Sequence, residues 1–313
     1  MINVNSVSKS FSKSPVLHSI SFDVKPNRVV GLLGPNGAGK TTIMRLLSGY
    51  LTPDSGNVEI YGYNILSHPN ESKSKIGYLP ENCPLYDEMK VDEFLKYRAI
   101  LKGVLPRLIR KRIIDIKDQC CISDIGNPII RSLSKGYRQR VGFADALIHD
   151  PEVLILDEPT VGLDPHQIII VRKLISDLSN DHTILLSTHI MQEVELICDD
   201  VIMINKGNLI ASDTKYNFCN KLKKIKTVYL EINANINDIE NIFSNISFVN
   251  LIFKESIDDN WSRVNIEILN KNSAEDLFEL IYEKKYKLRA LKPLVNSLEE
   301  AYLEIIKHED SIK

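Results

Sequence analysis

An α/β fold built on a parallel sheet, followed by a smaller α+β domain, is predicted for this 313-residue chain by three observations. A glycine-rich loop, Gly34-Pro35-Asn36-Gly37-Ala38-Gly39-Lys40-Thr41, follows the apolar run Val29-Val30-Gly31-Leu32-Leu33 and precedes the helix-like stretch Thr42-Ile43-Met44-Arg45-Leu46-Leu47. A second apolar run, Val153-Leu154-Ile155-Leu156, ends in Asp157-Glu158, as expected of a buried parallel strand delivering carboxylates to its C-terminal edge. From about Lys215 the composition changes, and short elements follow in the order βαββαβ.

The strand, loop and helix read as a phosphate-binding loop. Glycines let successive backbone N–H groups curl round the β- and γ-phosphates, Lys40 adds a point charge, and the Thr41 hydroxyl can reach Mg²⁺. The positive end of the following helix faces the same phosphates. Such a loop alone fits kinases, GTPases, helicases and transport ATPases. The Asp157-Glu158 pair narrows the choice: Asp157 is placed to hold the metal through water, and Glu158 to orient or deprotonate the attacking water. Two carboxylates merely capping a strand end are the alternative.

Leu133-Ser134-Lys135-Gly136-Tyr137-Arg138-Gln139-Arg140 opens a helix that runs through Phe143, Ala146 and Leu147, with Ser134 where an N-cap belongs. A serine hydroxyl and a glycine N–H at a helix start make an anion site. With the Asp-Glu pair about twenty residues on, this segment resembles the signature motif of the ATP-binding cassette (ABC) family. The resemblance covers roughly residues 1 to 215 and implies a P-loop NTPase cassette with a RecA-like core, an antiparallel β subdomain and a helical subdomain at about 84–140.

By that resemblance, Phe11 is the aromatic that stacks on adenine, and Gly34 to Thr42, including Pro35, Asn36, Gly37, Ala38, Gly39, Lys40 and Thr41, form the Walker A loop. Glu81 in Gly77-Tyr78-Leu79-Pro80-Glu81-Asn82 falls at the Q-loop position. Ser134 and Gly136 match the signature contacts, Asp157 the Walker B aspartate, Glu158 the catalytic glutamate, Asp164 the D-loop and His189 the switch histidine. Thr41, Glu81 and Asp157 become the Mg²⁺ set. In this family two cassettes pack head to tail, each ATP lying between one subunit's Walker A loop and the other's signature serine. One such set in the chain implies a homodimer, or a pair with a related ABC subunit. Two residues keep other readings from sequence: Phe11 as an ordinary β-sheet aromatic, and His189 as a satisfied buried histidine.

The sequence departs from the family pattern twice. Glutamate replaces the Q-loop glutamine, and the signature reads Leu-Ser-Lys-Gly-Tyr instead of Leu-Ser-Gly-Gly-Gln. A carboxylate is a competent Mg²⁺ ligand, and Ser134 and Gly136 keep the positions that the phosphate contact needs. Gly-Tyr-Leu-Pro-Glu-Asn with Leu-Ser-Lys-Gly-Tyr-Arg-Gln resembles the ABC-2 export branch, specifically its gliding-motility-type ATPases.

Composition bounds the rest. The 39 basic and 41 acidic residues leave a net charge of −2, which gives no nucleic-acid footprint. No uncharged apolar run approaches the ~20 residues needed to cross a bilayer, and no basic-then-apolar start marks a signal peptide. The expectation is a cytoplasmic protein, peripheral on the inner face of the cell membrane through a separate integral-membrane permease. Five cysteines without a Cys-x-x-Cys read as reduced thiols. Seven histidines without zinc spacing leave ATP and its Mg²⁺ as the implied cofactors.

The first thirty residues alternate polar and apolar, as in Ser19-Ile20-Ser21-Phe22-Asp23-Val24, and predict antiparallel strands against which adenine would lie. Pro84 to about Ser132 reads as helical, with Val91, Phe94, Leu95, Ile113, Ile114 and Ile116 at helical spacing. By resemblance, a permease coupling helix docks after Glu81, making Pro84, Leu85 and Tyr86 candidate contacts; core packing of a loop is the alternative. The boundaries are 1–214 for the cassette and 215–313 for the accessory domain. The basic run Lys221 to Lys226 reads as a solvated face ahead of a lipid-binding patch. Strand 227–232, helix 237–246, strands 248–253 and 263–269, helix 274–285 and strand 288–291 predict a ferredoxin-like domain, and Ser297 to Lys307 a last amphipathic helix. Three functions compete: a transport motor, a regulator of a membrane complex that moves no cargo, and a ribosome or nucleic-acid factor. Relatives of the last kind carry two cassettes or a long coiled coil, and neither is present here.

Overall fold

The computed structural model describes residues 1–12, 14–221, 226–244, 246–258, 260–269, 273–293 and 302. They form two compact units, Met1–Lys215 and Tyr216–Lys313.

In the first unit β1 (Ile2–Phe11) and β2 (Ser14–Val24) pair antiparallel, and β4 (Ser55–Ile60) and β5 (Tyr63–Asn64) extend the sheet in the order β2-β1-β4-β5. Register shifts between Val4 and Val7, with Ser6 at φ 50°, turn Val7 inward beside Ile2 and Val4, so the alternation survives a bulge. A second sheet holds β3 (Val29–Leu33), β6 (Ile76–Leu79), β7 (Val153–Asp157), β8 (Thr183–Thr188), β9 (Asp200–Asn205) and β10 (Asn208–Thr214) in the order β10-β9-β3-β8-β7-β6. Its strands run parallel except the edge strand β10. β3, β7 and β8 are buried at every position, which is why Val29–Leu33, Val153–Leu156 and Ile184–Leu186 read as apolar runs. Leu33 pairs with Thr188 and Asp157 with Ser187, so three loops leave the sheet at one edge. Ligands bind at that edge in open parallel sheets.

Helices α1 (Lys40–Leu47), α2 (Pro69–Ser74), α5 (Lys135–Leu147), α6 (Pro165–Leu178) and α7 (Met191–Ile197) accompany these strands; α3 (Val91–Leu101), α4 (Pro106–Gln119) and a 3₁₀ turn at Ile130–Ser132 make the helical part. The apolar face expected of α4 is corrected by its geometry. Ile116 and Ile109 face inward, whereas Ile114 is 60% exposed, since Ile113, Ile114 and Ile116 cannot share one face at 3.6 residues per turn. Pro84 and Tyr86 are also exposed, which rules out simple core packing for them.

Helix α8 (Lys215–Lys221) begins at the boundary, and β11 (Lys226–Ile232), α9 (Ile236–Phe243), β12 (Val249–Asp258), β13 (Trp261–Ile268), α10 (Ala274–Glu283) and β14 (Leu288–Pro293) build the second unit. Its antiparallel sheet has the order β12-β13-β11-β14, the ferredoxin-like arrangement. Val228, Leu230, Ile232, Val264, Ile266 and Ile268 pack against Ile239, Ile242, Phe243, Leu277 and Ile281 of the two helices. β12 extends beyond the expected Phe253 because hairpin pairing with β13 continues to Asp258 and Trp261. Residues 222–225 of the basic run and, Tyr302 aside, the expected helix at 297–307 lie outside the described residues.

Among the described residues, no helix is long and apolar enough to cross a membrane, and no group of His, Cys, Asp and Glu could by itself hold a metal ion. Cys83, Cys120, Cys121 and Cys198 are free thiols, and burial pushes Cys83 up to about 11, away from thiolate chemistry.

Candidate nucleotide site

The loop between β3 and α1 borders a cavity of about 510 Å³. Pro35, Asn36, Gly37, Gly39, Lys40, Thr41 and Thr42 line it from one side, and Glu81, Glu158 and His189 from others. Gly34 and Ala38 shape the loop: the Gly34 carbonyl accepts from Lys40 Nζ (2.8 Å), and Ala38 N–H donates to the Pro35 carbonyl (3.1 Å). Gly39 sits at φ 107°, and a Cβ there would lie 2.6 Å from Leu17 Cδ2 on β2, so glycine is required both by conformation and by space. Gly207, in the β9–β10 turn, bridges two elements: its N–H donates to the Ala38 carbonyl (3.1 Å), and its carbonyl accepts from His18 N–H on β2 (2.8 Å).

Beneath the cavity the carboxylates are held in sequence. Asp157 Oδ1 accepts from Ser187 Oγ (2.6 Å) and from Thr41 Oγ1 (3.5 Å), while its buried Oδ2 has no partner among the described residues. Burial, chiefly, raises the Asp157 carboxyl above its ordinary value, with the Glu158 and Glu81 charges adding to the rise and the two hydroxyls opposing it. A buried carboxylate oxygen left unpaired next to the Thr41 hydroxyl is the donor set that a hard cation fits. Glu158 takes φ 48°, an uncommon conformation for a non-glycine residue, and its N–H donates to Ser187 Oγ (3.0 Å). Its Oε1 lies 3.4 Å from Lys40 Nζ, and its Oε2 accepts from His189 Nδ1 (3.0 Å). A carboxylate can only accept, so this contact puts the proton on Nδ1. The side chain of His189 is 45% exposed, so the buried-histidine alternative does not hold.

Ser134 and Gly136 stand apart from this cavity. Ser134 is the exposed N-cap of α5 and accepts from Tyr137 N–H (3.4 Å); Gly136 is buried beside Gln167. Asp164 caps α6, accepting from Gln167 N–H (2.9 Å). Gln139 Nε2 donates to the Pro159 carbonyl (2.9 Å), tying α5 to the turn that follows Glu158. Phe11 lies at the end of β1, 44% exposed and outside the cavity lining, where Val16 stands instead.

Several contributors have no motif to announce them. Ser187, Thr160 and Thr188 are hydroxyls at strand and turn ends, and Val16 and Val161 are ordinary apolar residues. Ser187 was findable in principle, because it directly precedes Thr188-His189 on a strand that ends level with Asp157.

The family described as ABC transporter matches residues 17–161. The uncharacterized ABC transporter ATP-binding protein YhaQ of Bacillus subtilis is 32% identical over 306 residues, 97% of this chain and 98% of that protein. The chain belongs to the ABC transporter ATP-binding family. The Nod factor export ATP-binding protein I of Ralstonia nicotianae is 37% identical over 212 residues, 67% of this chain and 66% of that protein. A solved ATP-binding subunit of an ABC transporter superposes with a TM-score of 0.66 at 28% identity, covering 71% of this chain and 93% of that one. This ABC subunit is accordingly an ATPase with the P-loop cassette fold, and the cavity bordered by Lys40 and Glu158 is the candidate for its nucleotide site.

Proposed function

We propose that the chain is the motor subunit of an ABC-2-type exporter of the gliding-motility branch, working as a dimer on a separate integral-membrane permease at the cytoplasmic face of the cell membrane. One observation carries the dimer: the cavity gathers Lys40, Glu158 and His189 but leaves the exposed Ser134 outside it, which supports a second copy supplying the signature contact.

In this reading the loop N–H groups and Lys40 bind the phosphates, and Phe11 stacks on the base. Glu158 orients the water that attacks the γ-phosphate, and His189 holds Glu158 in line. Ser134 and Gly136 of the second copy contact the same γ-phosphate, and Asp164 belongs to the D-loop between copies. Asp157, Thr41 and Glu81 would hold Mg²⁺, which supplies charge neutralisation on the phosphates. Ser187 fixes Asp157 and the Glu158 backbone together.

A groove of about 850 Å³, bordered by Arg45, Tyr78, Pro84, Leu85, Arg98 and Lys102, lies just beyond Glu81 and supports docking of a permease element there. The Ralstonia relative, a Nod factor export protein, supports export. The second unit, about 215–313, serves dimer contacts or regulation. A regulator that moves no cargo is the second reading, because nothing in the ATP site distinguishes the two.

Co-purification from detergent tests the pairing: a multi-spanning partner is expected, and ribosomes in its place would contradict it. Reconstituted transport then separates motor from regulator. Glu158→Gln with Mg·ATP is expected to accumulate as a closed dimer on sizing, and a monomer in the presence of the partner would remove the shared site.

A further inference from the structure

Among the described residues the nucleotide machinery leaves two buried carboxylates unused, Asp145, which pairs with Arg98, and Glu193. Glu193, on α7, is 1% exposed. Its Oε1 accepts from Thr160 Oγ1 and its Oε2 from Thr188 Oγ1 (2.9 Å), while Arg172 Nη2 on α6 stands 3.8 Å from Oε1. Thr160 is two residues beyond Glu158, and Thr188 directly precedes His189. Thr188 Oγ1 also accepts from Ile190 N–H (3.0 Å), which fixes the chain on the far side of the histidine.

Burying a carboxylate costs several kcal/mol unless its oxygens are bonded. Packing alone would be served by an apolar side chain of that size. What a carboxylate supplies here is two acceptors, facing hydroxyls from two separate loops, and those are the loops that carry the Glu158–His189 pair. We infer that Glu193 is a positioning residue for ATP hydrolysis, clamping the turn after β7 to the end of β8 so that Glu158 and His189 keep their 3.0 Å contact. This rests on the roles given to Glu158 and His189. The clamp acts on hydrolysis and leaves nucleotide binding alone, because neither threonine nor Glu193 lines the cavity.

The test measures kcat and KM for Mg·ATP, with the thermal midpoint, in the full-length chain. Glu193→Ala is expected to lower kcat by about 10- to 10²-fold, the cost of a roughly 1 Å misplacement, with KM within about 3-fold. Glu193→Gln keeps an acceptor and should recover most of that loss. Thr160→Val and Thr188→Val should each lower kcat alone and add little to Glu193→Ala, as coupled members of one unit do. Wild-type kcat in Glu193→Ala, a loss confined to KM, or full additivity with the threonine variants would overturn the clamp. If Glu193→Ala does not fold, the two threonine variants and Glu193→Gln carry the same test. Glu158→Gln in parallel separates the two failures: turnover retained there removes the role on which the clamp rests, whereas turnover lost there with Glu193→Ala unaffected removes the clamp alone.

Discussion

The unit ending at Lys215 buries Lys40, Asp157, Glu158, Ser187, Thr188 and Glu193, whereas the unit beginning at Tyr216 buries, among its described residues, the single polar side chain Ser262. Both have apolar cores of similar chemistry: isoleucine, valine and leucine from strands packed against helices. The second unit keeps its charges on the surface, where Arg263 stacks near Tyr229 and reaches Glu255 at 3.1 Å. Desolvated polar groups are expensive unless bonded, so the cluster of Lys40, Asp157, Glu158, Ser187 and Thr188 at one edge of one sheet marks the candidate reaction centre, while Arg140, Asp145 and His182 are buried elsewhere in the same unit. The second unit, with only Ser262 of that kind among its described residues, is held together by apolar packing.

Four perturbations press on this contrast. Glu158→Gln should have the largest effect, cutting turnover at least ~10²-fold while ATP affinity persists; turnover near wild type, read by phosphate release, would contradict the role of that carboxylate. Leu230→Ala, in the core of the second unit, should lower that unit's unfolding free energy by about 2–5 kcal/mol with turnover unchanged, and a parallel fall in kcat would erase the division of labour. Ser134→Ala would remove the phosphate contact proposed for the second copy, worth about 1.5–3 kcal/mol, so hydrolysis should drop by roughly 10- to 10²-fold. Titration of the isolated monomer should give unaltered affinity, and weakened binding there would place the serine in its own subunit's site.

On the stability of the ligand-free chain, Asp157→Asn should have the smallest effect of the four, and with the opposite sign. Burial raises the Asp157 carboxyl, so its ionisation costs stability that is present at low pH and lost as pH rises through the raised value. The asparagine avoids that cost, and the thermal midpoint of the ligand-free chain should rise by a few °C, on the order of ~2–4 °C per kcal/mol, more at pH 8 than at pH 5. A midpoint that fell equally at both would remove the desolvation argument.

Much of the site was legible because its residues sit in motifs whose spacing is dictated by the phosphates. The loop from Gly34 to Thr42, Asp157-Glu158 after an apolar strand, and Ser134 at a helix start announce their element as well as their chemistry. What stayed hidden depends on which strands are neighbours. Ser187 supports Asp157 only because β7 and β8 pair in that register, and Glu193 matters only because α7 returns beneath two loops distant in sequence. The strands β4, β5, β9 and β10 were not read at all, being short, mixed in polarity, or hidden by turns such as Lys206-Gly207. Ile114 was misplaced for a simpler reason: a run of adjacent isoleucines carries no phase until the helix axis is fixed.

Gly207 joins the Ala38 carbonyl to β2 from a turn far along the chain. Circular permutants opened at that turn would therefore lose grip on ATP while retaining their global topology, although the cut lies more than 160 positions from the lysine it loosens.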